Sequence, residues 1–405
     1  MSNPIYKISM LGPTRVGKTS LISTISNMVG TKLLTGTPIS FETEDLATEK
    51  KLAMHDRELR GSINAGSIGG ESFNAGALAG TQSPFKFKFS LKSMNDENML
   101  DFEILDFPGG WLDPTSRPEG ASQQWKDCEK WITESAVIII PVEATVIMSA
   151  ASPKELRAIE DNIQSEAIAK IVRQWAKNRA YNYPGEPSVV IFAPTKCESY
   201  FIDNVRTTGK NQSSELYEKV NKYYDGVIKA IQDEFTSGAN VSILYTAVDT
   251  IGCVDLRRGD WKVDNEDNDH TLRFMGTYSV IPSKNGIQPK GADDIFITIC
   301  KTIVQAYRIS EEVRLEEISE KYQHSQSEAE EARKIAEEDE GFFGNFWSWV
   351  DGSKKEKRNT ASNKESIANE HNKNKRSQET RLQTISEIIK EISERTLSNR
   401  TKVIK

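Results

Sequence analysis

The sequence is poor in cysteine and has no long apolar run. Its four cysteines, Cys128, Cys197, Cys253 and Cys300, form no C-x-x-C pair and no cysteine–histidine pattern, which excludes a structural zinc site of the usual spacing. We therefore expect reduced, mostly buried thiols in a cytoplasmic chain. No window approaches 18 consecutive apolar residues, so the sequence predicts no membrane-spanning helix.

A surplus of basic residues is also missing. Lysine and arginine number 52 against 59 aspartates and glutamates in 405 residues, which gives a net charge of −7. Dedicated nucleic-acid binders normally carry a basic surplus, so no nucleic-acid partner is expected. The first seven residues are polar and lead directly into a strand pattern, unlike a secretory signal peptide.

Short apolar runs alternate with helical patterns from residue 5 to about residue 305. The first run is Ile5–Leu11, and the alternating run Phe85–Leu91 and the run Met99–Leu105 flank a polar turn that predicts a β-hairpin. Three further runs have the β-branched composition of buried parallel strands: Val137–Val142, Ser188–Ala193 and Val241–Tyr245. Helical patterns such as Lys154–Asn178 and Ser214–Phe235 separate them. This alternation predicts an α/β domain with helices on both faces of the sheet.

The strongest motif lies directly after the first predicted strand. Residues 12–19 fit G-x-x-x-x-G-K-S/T at every fixed position and precede a predicted helix, Ser20–Met28. Such a loop points backbone amides at phosphate oxygens beside a helix N-terminus. Lys18 is expected to bridge the β- and γ-phosphates, and the Thr19 hydroxyl to bind Mg²⁺. The nucleotide-binding residues predicted here are Gly12, Pro13, Thr14, Arg15, Val16, Gly17, Lys18, Thr19 and Ser20.

Two later motifs narrow the class of nucleotide-binding protein. The second strand of the hairpin ends in D-x-x-G, where Asp106 is expected to hold Mg²⁺ through water and the Gly109 amide to sense the γ-phosphate. A buried strand further along ends in T-K-x-E, formed by Thr195, Lys196 and Glu198.

The order and spacing of these motifs resemble a GTPase of the translation-factor-related superclass, Ras-like or dynamin-like, from a divergent prokaryotic branch. The resemblance covers about residues 5–305 and implies a three-layer P-loop sheet that binds GTP or GDP with Mg²⁺. It also implies that Lys196 stacks on the guanine base and that Glu198 accepts the two N–H donors of its edge. Thr246 and Ala247 occupy the place of the second base-binding loop.

Two residues depart from the pattern of this superclass. Glu198 stands where the base-reading residue is normally an aspartate, which weakens the expected guanine preference. Gly110 follows D-F-P-G where many small GTPases carry a glutamine that orients the attacking water. GTP hydrolysis by this protein would then lack the side chain that usually orients the attacking water.

Arg15 is a candidate substitute for the missing side chain. Its position in the loop resembles the arginine of the guanylate-binding proteins, G-x-x-R-x-G-K-S, which implies a catalytic arginine finger in cis. Such a finger is worth about 10³–10⁵ in rate. The alternative is an exposed arginine at a loop tip.

An insertion of about residues 30–83 occupies the place of switch I. It contains a charged helix pattern, Thr43–Leu59, and a glycine-rich tandem, Gly61–Gly80. Thr81 follows and is the candidate for the threonine that closes on Mg²⁺ and the γ-phosphate, with Thr37 and Thr43 as competitors. The glycine-rich run is typical of a segment that becomes ordered only when nucleotide binds. The alternative is a flexible surface loop.

From residue 306 to residue 405 the pattern becomes helical. Two arms of opposite net charge flank an aromatic segment, residues 341–350, and predict a long antiparallel helical hairpin of coiled-coil type with an aromatic tip. A partly disordered charged tail is the alternative. The tip is expected to contact a protein partner or a second copy, with peripheral membrane contact and internal packing as alternatives.

Together these features predict a GTPase switch. Residues 1–305 are expected to bind guanine nucleotide and Mg²⁺, with Arg15, Lys18 and Thr81 as catalytic residues and Thr19, Thr81 and Asp106 as metal ligands. Nucleotide state would act on the hairpin. Two alternatives remain: a nucleotide-binding scaffold with little hydrolysis, and an ATPase or kinase of the same fold.

Overall fold

The computed structural model describes most of the chain up to residue 306 and its last residues. The described ranges are 5–30, 39–69, 73–74, 80–93, 98–203, 210–235, 240–263, 272–281, 287–306 and 395–404, with single residues at 34, 37, 309, 323, 327, 330 and 373. The chain divides into two compact units, one made of residues 1–303 with 391–405 and the other of residues 304–390. The predicted hairpin arms and the aromatic tip 341–350 lie almost entirely outside the described residues.

The first unit is built on a mixed, mostly parallel sheet of eight strands. In chain order these are β1 (Ile5–Met10), β2 (Ile39–Thr43), β4 (Phe85–Ser93), β5 (Asn98–Asp106), β6 (Val137–Glu143), β7 (Ser188–Thr195), β8 (Val241–Thr246) and β11 (Thr401–Val403). Their spatial order is β11-β8-β7-β6-β1-β5-β4-β2. The five strands from β8 to β5 are parallel, and β4, β2 and β11 are antiparallel to their neighbours. The predicted α/β class and the β4–β5 hairpin are confirmed.

Helices cover both faces of this sheet. The labelled helices are α1 (Lys18–Met28), α2 (Leu46–Gly69), α3 (Ser122–Glu134), α4 (Ala144–Ser149), α5 (Pro153–Ile163), α6 (Ser165–Asn182), α7 (Ser213–Tyr223) and α8 (Asp225–Glu234). Ile138 and Ile140 of β6 share an apolar core with residues of α3 and α5 to α8. On the opposite face Phe296, in the helical residues 292–306, contacts the Phe41 ring at 5.4 Å and the Phe102 ring at 6.3 Å.

A second, three-stranded antiparallel sheet was not predicted from the sequence. It has the order β3-β10-β9 and consists of β3 (Phe73–Asn74), β9 (Val254–Val263) and β10 (Leu272–Val280). Its buried residues Val254 and Tyr278 pack against Leu59 of α2 in a small apolar cluster. The weak alternation of β9, which is largely polar and half-exposed, explains why the pattern gave no strand signal.

Several predicted helix boundaries are wrong. Thr43 belongs to β2, and the inserted helix begins at Leu46 and continues to Gly69, through half of the glycine-rich run. The predicted helix 154–178 is two helices, because Gln164 adopts a left-handed conformation with φ 52° between α5 and α6. The helix 214–235 is likewise divided at Tyr224, which ends α7 and precedes α8.

The last residues of the chain return to the sheet rather than continuing a helix to the C-terminus. Strand β11 pairs antiparallel with β8 at the sheet edge. Just before it, the Arg400 guanidinium donates two hydrogen bonds to Asp249, at 2.9 and 2.8 Å, and two to Asp203, at 3.2 and 2.7 Å. Arg400 and Asp249 are both buried. Burial lowers the pKa of Arg400, but the two carboxylates outweigh it and raise the pKa above its usual value.

All four cysteines are buried with free thiols. Among the residues that the structure describes, no helix combines the length and apolar content that a bilayer crossing requires.

Replacing Arg400 with methionine should lower the free energy of unfolding by about 3–5 kcal/mol, because the substitution leaves Asp249 buried and charged without its cation. Urea unfolding followed by tryptophan fluorescence measures the change. Val403→Thr, at an exposed position of the adjoining strand β11, is the control and should stay within about 0.5 kcal/mol. The double variant Arg400→Met with Asp249→Leu should regain most of the loss. A change below about 1 kcal/mol in Arg400→Met would contradict the proposed role of the pair.

Candidate functional site

A cleft opens at the carboxyl ends of the central parallel strands. Strand β1 lies between β5 and β6, so the strand order reverses beside it, and open α/β sheets bind ligands at such a point. The cavity volume inside the cleft is about 90 Å³. Its lining residues come from the loop between β1 and α1 (residues 11–17, called the phosphate loop below), the start of α1, the insertion, the second sheet and the loops after β5, β7 and β8. They are Thr14, Arg15, Gly17, Lys18, Thr19, Ser20, His55, Leu59, Gly80, Thr81, Gly109, Thr195, Lys196, Glu198, Thr250, Ile251, Val254 and Tyr278.

The loop between β1 and α1 contains two residues with a positive φ, Arg15 and Gly17. Gly17 precedes the helix with φ 95°, a conformation that favours glycine, and has no side chain to occupy the amides at the helix start. Arg15 also has a positive φ, 66°. The buried Lys18 ammonium donates to the carbonyls of Gly12 and Pro13 at 2.9 and 3.0 Å. Burial lowers the pKa of Lys18, against the opposing charge of Asp106.

Three oxygen-bearing side chains converge beside this loop. The Thr19 Oγ1 and Thr81 Oγ1 hydroxyls each donate to Asp106 Oδ2 at 2.7 Å and lie 3.1 Å from each other. Asp106 is fully buried at the end of β5, and its Oδ1 has no hydrogen-bond partner among the described residues. We call this group the hydroxyl–carboxylate cluster. An orphaned carboxylate oxygen beside two hydroxyls fits a hard cation such as Mg²⁺, which prefers oxygen ligands and keeps several waters.

Of the three threonines considered for the switch I position, only Thr81 belongs to the hydroxyl–carboxylate cluster. Thr81 reaches the cleft, whereas the Thr37 hydroxyl donates to the carbonyl of Leu34 at 2.9 Å and Thr43 pairs with Phe89 in the sheet. No group of three or more histidine, cysteine or acidic side chains that could hold a metal occurs among the described residues. A cation at the cluster would therefore take its remaining ligands from water or from a bound anion.

The loop after β5 is packed onto the phosphate loop. A Cβ atom at Gly109 would lie 2.2 Å from the backbone of Pro13 and Thr14, so only glycine allows this approach. A Cβ at Gly110 would meet nothing closer than Thr14 Oγ1 at 3.8 Å. The predicted Gly109 is thus at the cleft, and Gly110 brings no side chain to it.

The T-K-x-E residues brace the other end of the cleft. Thr195 Oγ1 donates to the carbonyl of Val16 at 2.8 Å, which ties β7 to the phosphate loop. Lys196 is left-handed, with φ 58°, and its ammonium donates to Glu143 Oε1 at 2.6 Å and to the carbonyl of Arg15 at 3.3 Å.

Glu198 lines the cleft and also organises the loop after β8. Its Oε1 accepts hydrogen bonds from the amides of Ile251 at 2.9 Å and Gly252 at 3.1 Å. Burial, followed by the nearby charge of Asp249, raises the pKa of Glu198 to about 7, although the two amide hydrogen bonds favour the charged form. The side chain is therefore poised to change charge near neutral pH.

Other predicted site residues have different positions. Thr246 and Ala247 do not line the cleft: the Thr246 hydroxyl lies 3.0 Å from that of Thr401, and the Ala247 amide donates to the carbonyl of Arg400. Gly12, Pro13 and Val16 form the buried base of the phosphate loop. Arg15 and Thr14 are exposed at the mouth of the cleft, and Ser20 is half-buried in its lining.

Sequence reasoning missed the residues that close the cleft over its opening and at the end near Glu198. His55 and Leu59 come from α2, Thr250 and Ile251 from the loop after β8, and Tyr278 from the second sheet. The sequence spacing of His55 and Leu59 could have indicated a shared position, because residues four apart lie on one face of a helix. The contributions of the loop and the second sheet depend on long-range contacts without a local motif.

Neither the comparison with models of known protein families nor the search among curated proteins finds a match for this chain.

Removing the Glu198 charge should change how stability depends on pH. The folded-state pKa of about 7 lies above the usual value of 4.5, so the folded chain holds this proton more tightly. The wild type should lose on the order of 2–3 kcal/mol relative to Glu198→Gln as pH rises from about 4.5 to about 7, and no more above pH 7. Thermal unfolding from pH 4.5 to 8 measures the difference, with exposed Glu119→Gln as the control. A difference independent of pH would contradict the raised pKa.

Proposed function

We propose that this protein is a guanine-nucleotide-binding switch that hydrolyses GTP to GDP with Mg²⁺. The observation that carries the proposal is the hydroxyl–carboxylate cluster, in which Thr19, Thr81 and Asp106 converge next to a phosphate-binding loop. This arrangement matches the fold proposed for the first unit, a three-layer P-loop sheet of the GTPase type. Coupling of nucleotide state to a helical hairpin between residue 306 and strand β11, used for partner contact or assembly, is part of the same proposal.

The phosphate end of the cleft is suited to a nucleoside triphosphate. Lys18 can exchange its two carbonyl acceptors for phosphate oxygens of much higher charge, and the free amides at the start of α1 supply further donors. Mg²⁺, when bound, would neutralise developing charge on the phosphates. Thr19, Thr81 and Asp106 would hold it, and the exposed Arg15 at the cleft mouth could add a second positive charge.

The base end favours guanine over adenine. A carboxylate accepts two N–H donors from guanine, whereas adenine presents a ring nitrogen acceptor at the matching position. Glu198 lies in the cleft near an apolar wall that includes Leu59, Ile251 and Tyr278. Lys196 is held by Glu143 and the phosphate loop, so its aliphatic stem has a fixed course beside the base position.

One alternative function has a specific observation in its favour. Gly110 brings no side chain to the cleft, which fits a nucleotide-binding scaffold that hydrolyses GTP slowly and assembles partners. The measured hydrolysis rate separates this scaffold from the switch.

The base preference is the first test. We expect GTP and GDP to bind at least tenfold more tightly than ATP and ADP, about 1.4 kcal/mol. Glu198→Gln should lose GTP affinity and gain affinity for xanthosine triphosphate, because an amide offers one acceptor and one donor to the N–H and C=O of xanthine. Fluorescent nucleotide titration measures the affinities, with Glu119→Gln as the control. Equal affinity of the wild type for ATP would exclude the guanine proposal and favour an ATPase.

Arg15 is the second test. Arg15→Ala should slow hydrolysis at least tenfold with little change in GTP affinity, the signature of a contact made only in the transition state. Lys18→Ala should abolish binding itself. Single-turnover hydrolysis measures the rates, and exposed Arg157→Ala is the control. Normal hydrolysis by Arg15→Ala would show that Arg15 is a loop-tip residue and that the similarity to guanylate-binding proteins is superficial.

A further inference from the structure

The inserted helix α2 forms a roof over the cleft. Lys51, His55 and Leu59 are spaced four residues apart, so they share one face of the helix. His55 and Leu59 line the cleft directly. This helix has no counterpart among the motifs that defined the nucleotide site, yet it encloses that site.

Contacts at the two ends of this face fix its direction over the cleft. Leu59 packs with Ile251 and Tyr278 at the base end. Lys51 lies four residues before His55, and its ammonium lies over the Phe85 ring, 4.2 Å from the ring centroid. Phe85 is the first residue of β4, the strand that follows Thr81. His55 therefore lies between the base end and the cluster that contains Thr81.

The His55 side chain is buried, and one of its ring nitrogens lacks a hydrogen-bond partner among the described residues. Its exposed fraction is 7%, and Nε2 has no hydrogen-bond partner among the described residues. A buried polar atom without a partner costs about 1–3 kcal/mol, and because His55 lines the cleft, a ligand bound there would remove this cost by supplying the partner. Burial lowers the pKa of His55, and the charges of Glu58, Asp56 and Asp106 oppose the shift only in part. The imidazole is therefore neutral near pH 7.

We propose that His55 is a catalytic residue that orients the attacking water through Nε2. This inference rests on the proposed GTP hydrolysis. With its proton on Nδ1, the ring offers an Nε2 lone pair that accepts a hydrogen bond from water. His55 thereby supplies the water-orienting side chain that Gly110 does not provide.

The step balances with the groups present. The water oxygen forms a bond to the γ-phosphorus, the bond from that phosphorus to the β–γ bridging oxygen breaks, and its electron pair remains on the diphosphate. One water proton passes to Nε2 and then to the released phosphate. General base assistance of this kind contributes about 10²–10⁴ in rate.

The experiment compares His55→Leu, His55→Gln and Met54→Leu in the full-length protein. Met54 is exposed on the outer side of α2, so Met54→Leu introduces the same residue into the same helix as a control. Single-turnover hydrolysis of radiolabelled GTP with Mg²⁺ gives the rate, and titration with fluorescent GTP and GDP gives the affinities. The wild type is measured first: an absence of GTP binding or hydrolysis would overturn the proposed function itself.

We expect His55→Leu to hydrolyse GTP about 100-fold more slowly, with both affinities within threefold of the wild type. His55→Gln should recover part of the rate, since its amide oxygen can also accept from water, and Met54→Leu should match the wild type. Should His55→Leu fail to fold, a rate of His55→Gln between 3- and 100-fold below the wild type supports the proposal. Wild-type rates in the folded variants, or loss of affinity with an unchanged rate at saturation, would overturn it.

Discussion

The hydrogen bonds of the buried Asp106 carboxylate are the interaction on which the proposed nucleotide site depends. A fully buried charge must be paired or hydrogen-bonded, and Asp106 achieves this with the hydroxyls of Thr19 and Thr81. One residue at the end of β5 thereby joins the first helix to the end of a long insertion. Its second oxygen has no hydrogen-bond partner among the described residues, and a bound cation would satisfy it.

The rest of the cleft follows from the geometry of parallel strands. Strands β1, β5, β7 and β8 end at the same edge, so each loop that follows them delivers its residues to one place. The C-terminal residues reinforce this edge, because Arg400 pairs with Asp249 in the same loop whose amides at Ile251 and Gly252 donate to Glu198. The end of the chain thus supports the base end of the proposed site.

The sequence predicted the parts of the site that have local signatures. The phosphate loop, Asp106 and Gly109 sit directly after strands, and strand, turn and helix are encoded within a few residues. Thr81 was placed by order along the chain, and the structure brings it to Asp106. The roof residue His55 and the base wall at Tyr278 depend on packing between segments more than 200 residues apart. Thr246 and Ala247 were predicted to contact the base, but they contact residues 400 and 401, because β11 pairs with β8 at this edge of the sheet. No local sequence pattern predicted that the end of the chain forms this strand.

The most direct test of the account identifies the nucleotide that the protein selects. Purified full-length protein would be incubated with equimolar GTP, ATP, CTP and UTP and Mg²⁺, separated from free nucleotide and denatured, and the released nucleotide identified by mass spectrometry. The account predicts GTP and its product GDP in near-stoichiometric amount, with the fraction of GDP rising over time. Release of adenine nucleotide, or of no nucleotide, would contradict it.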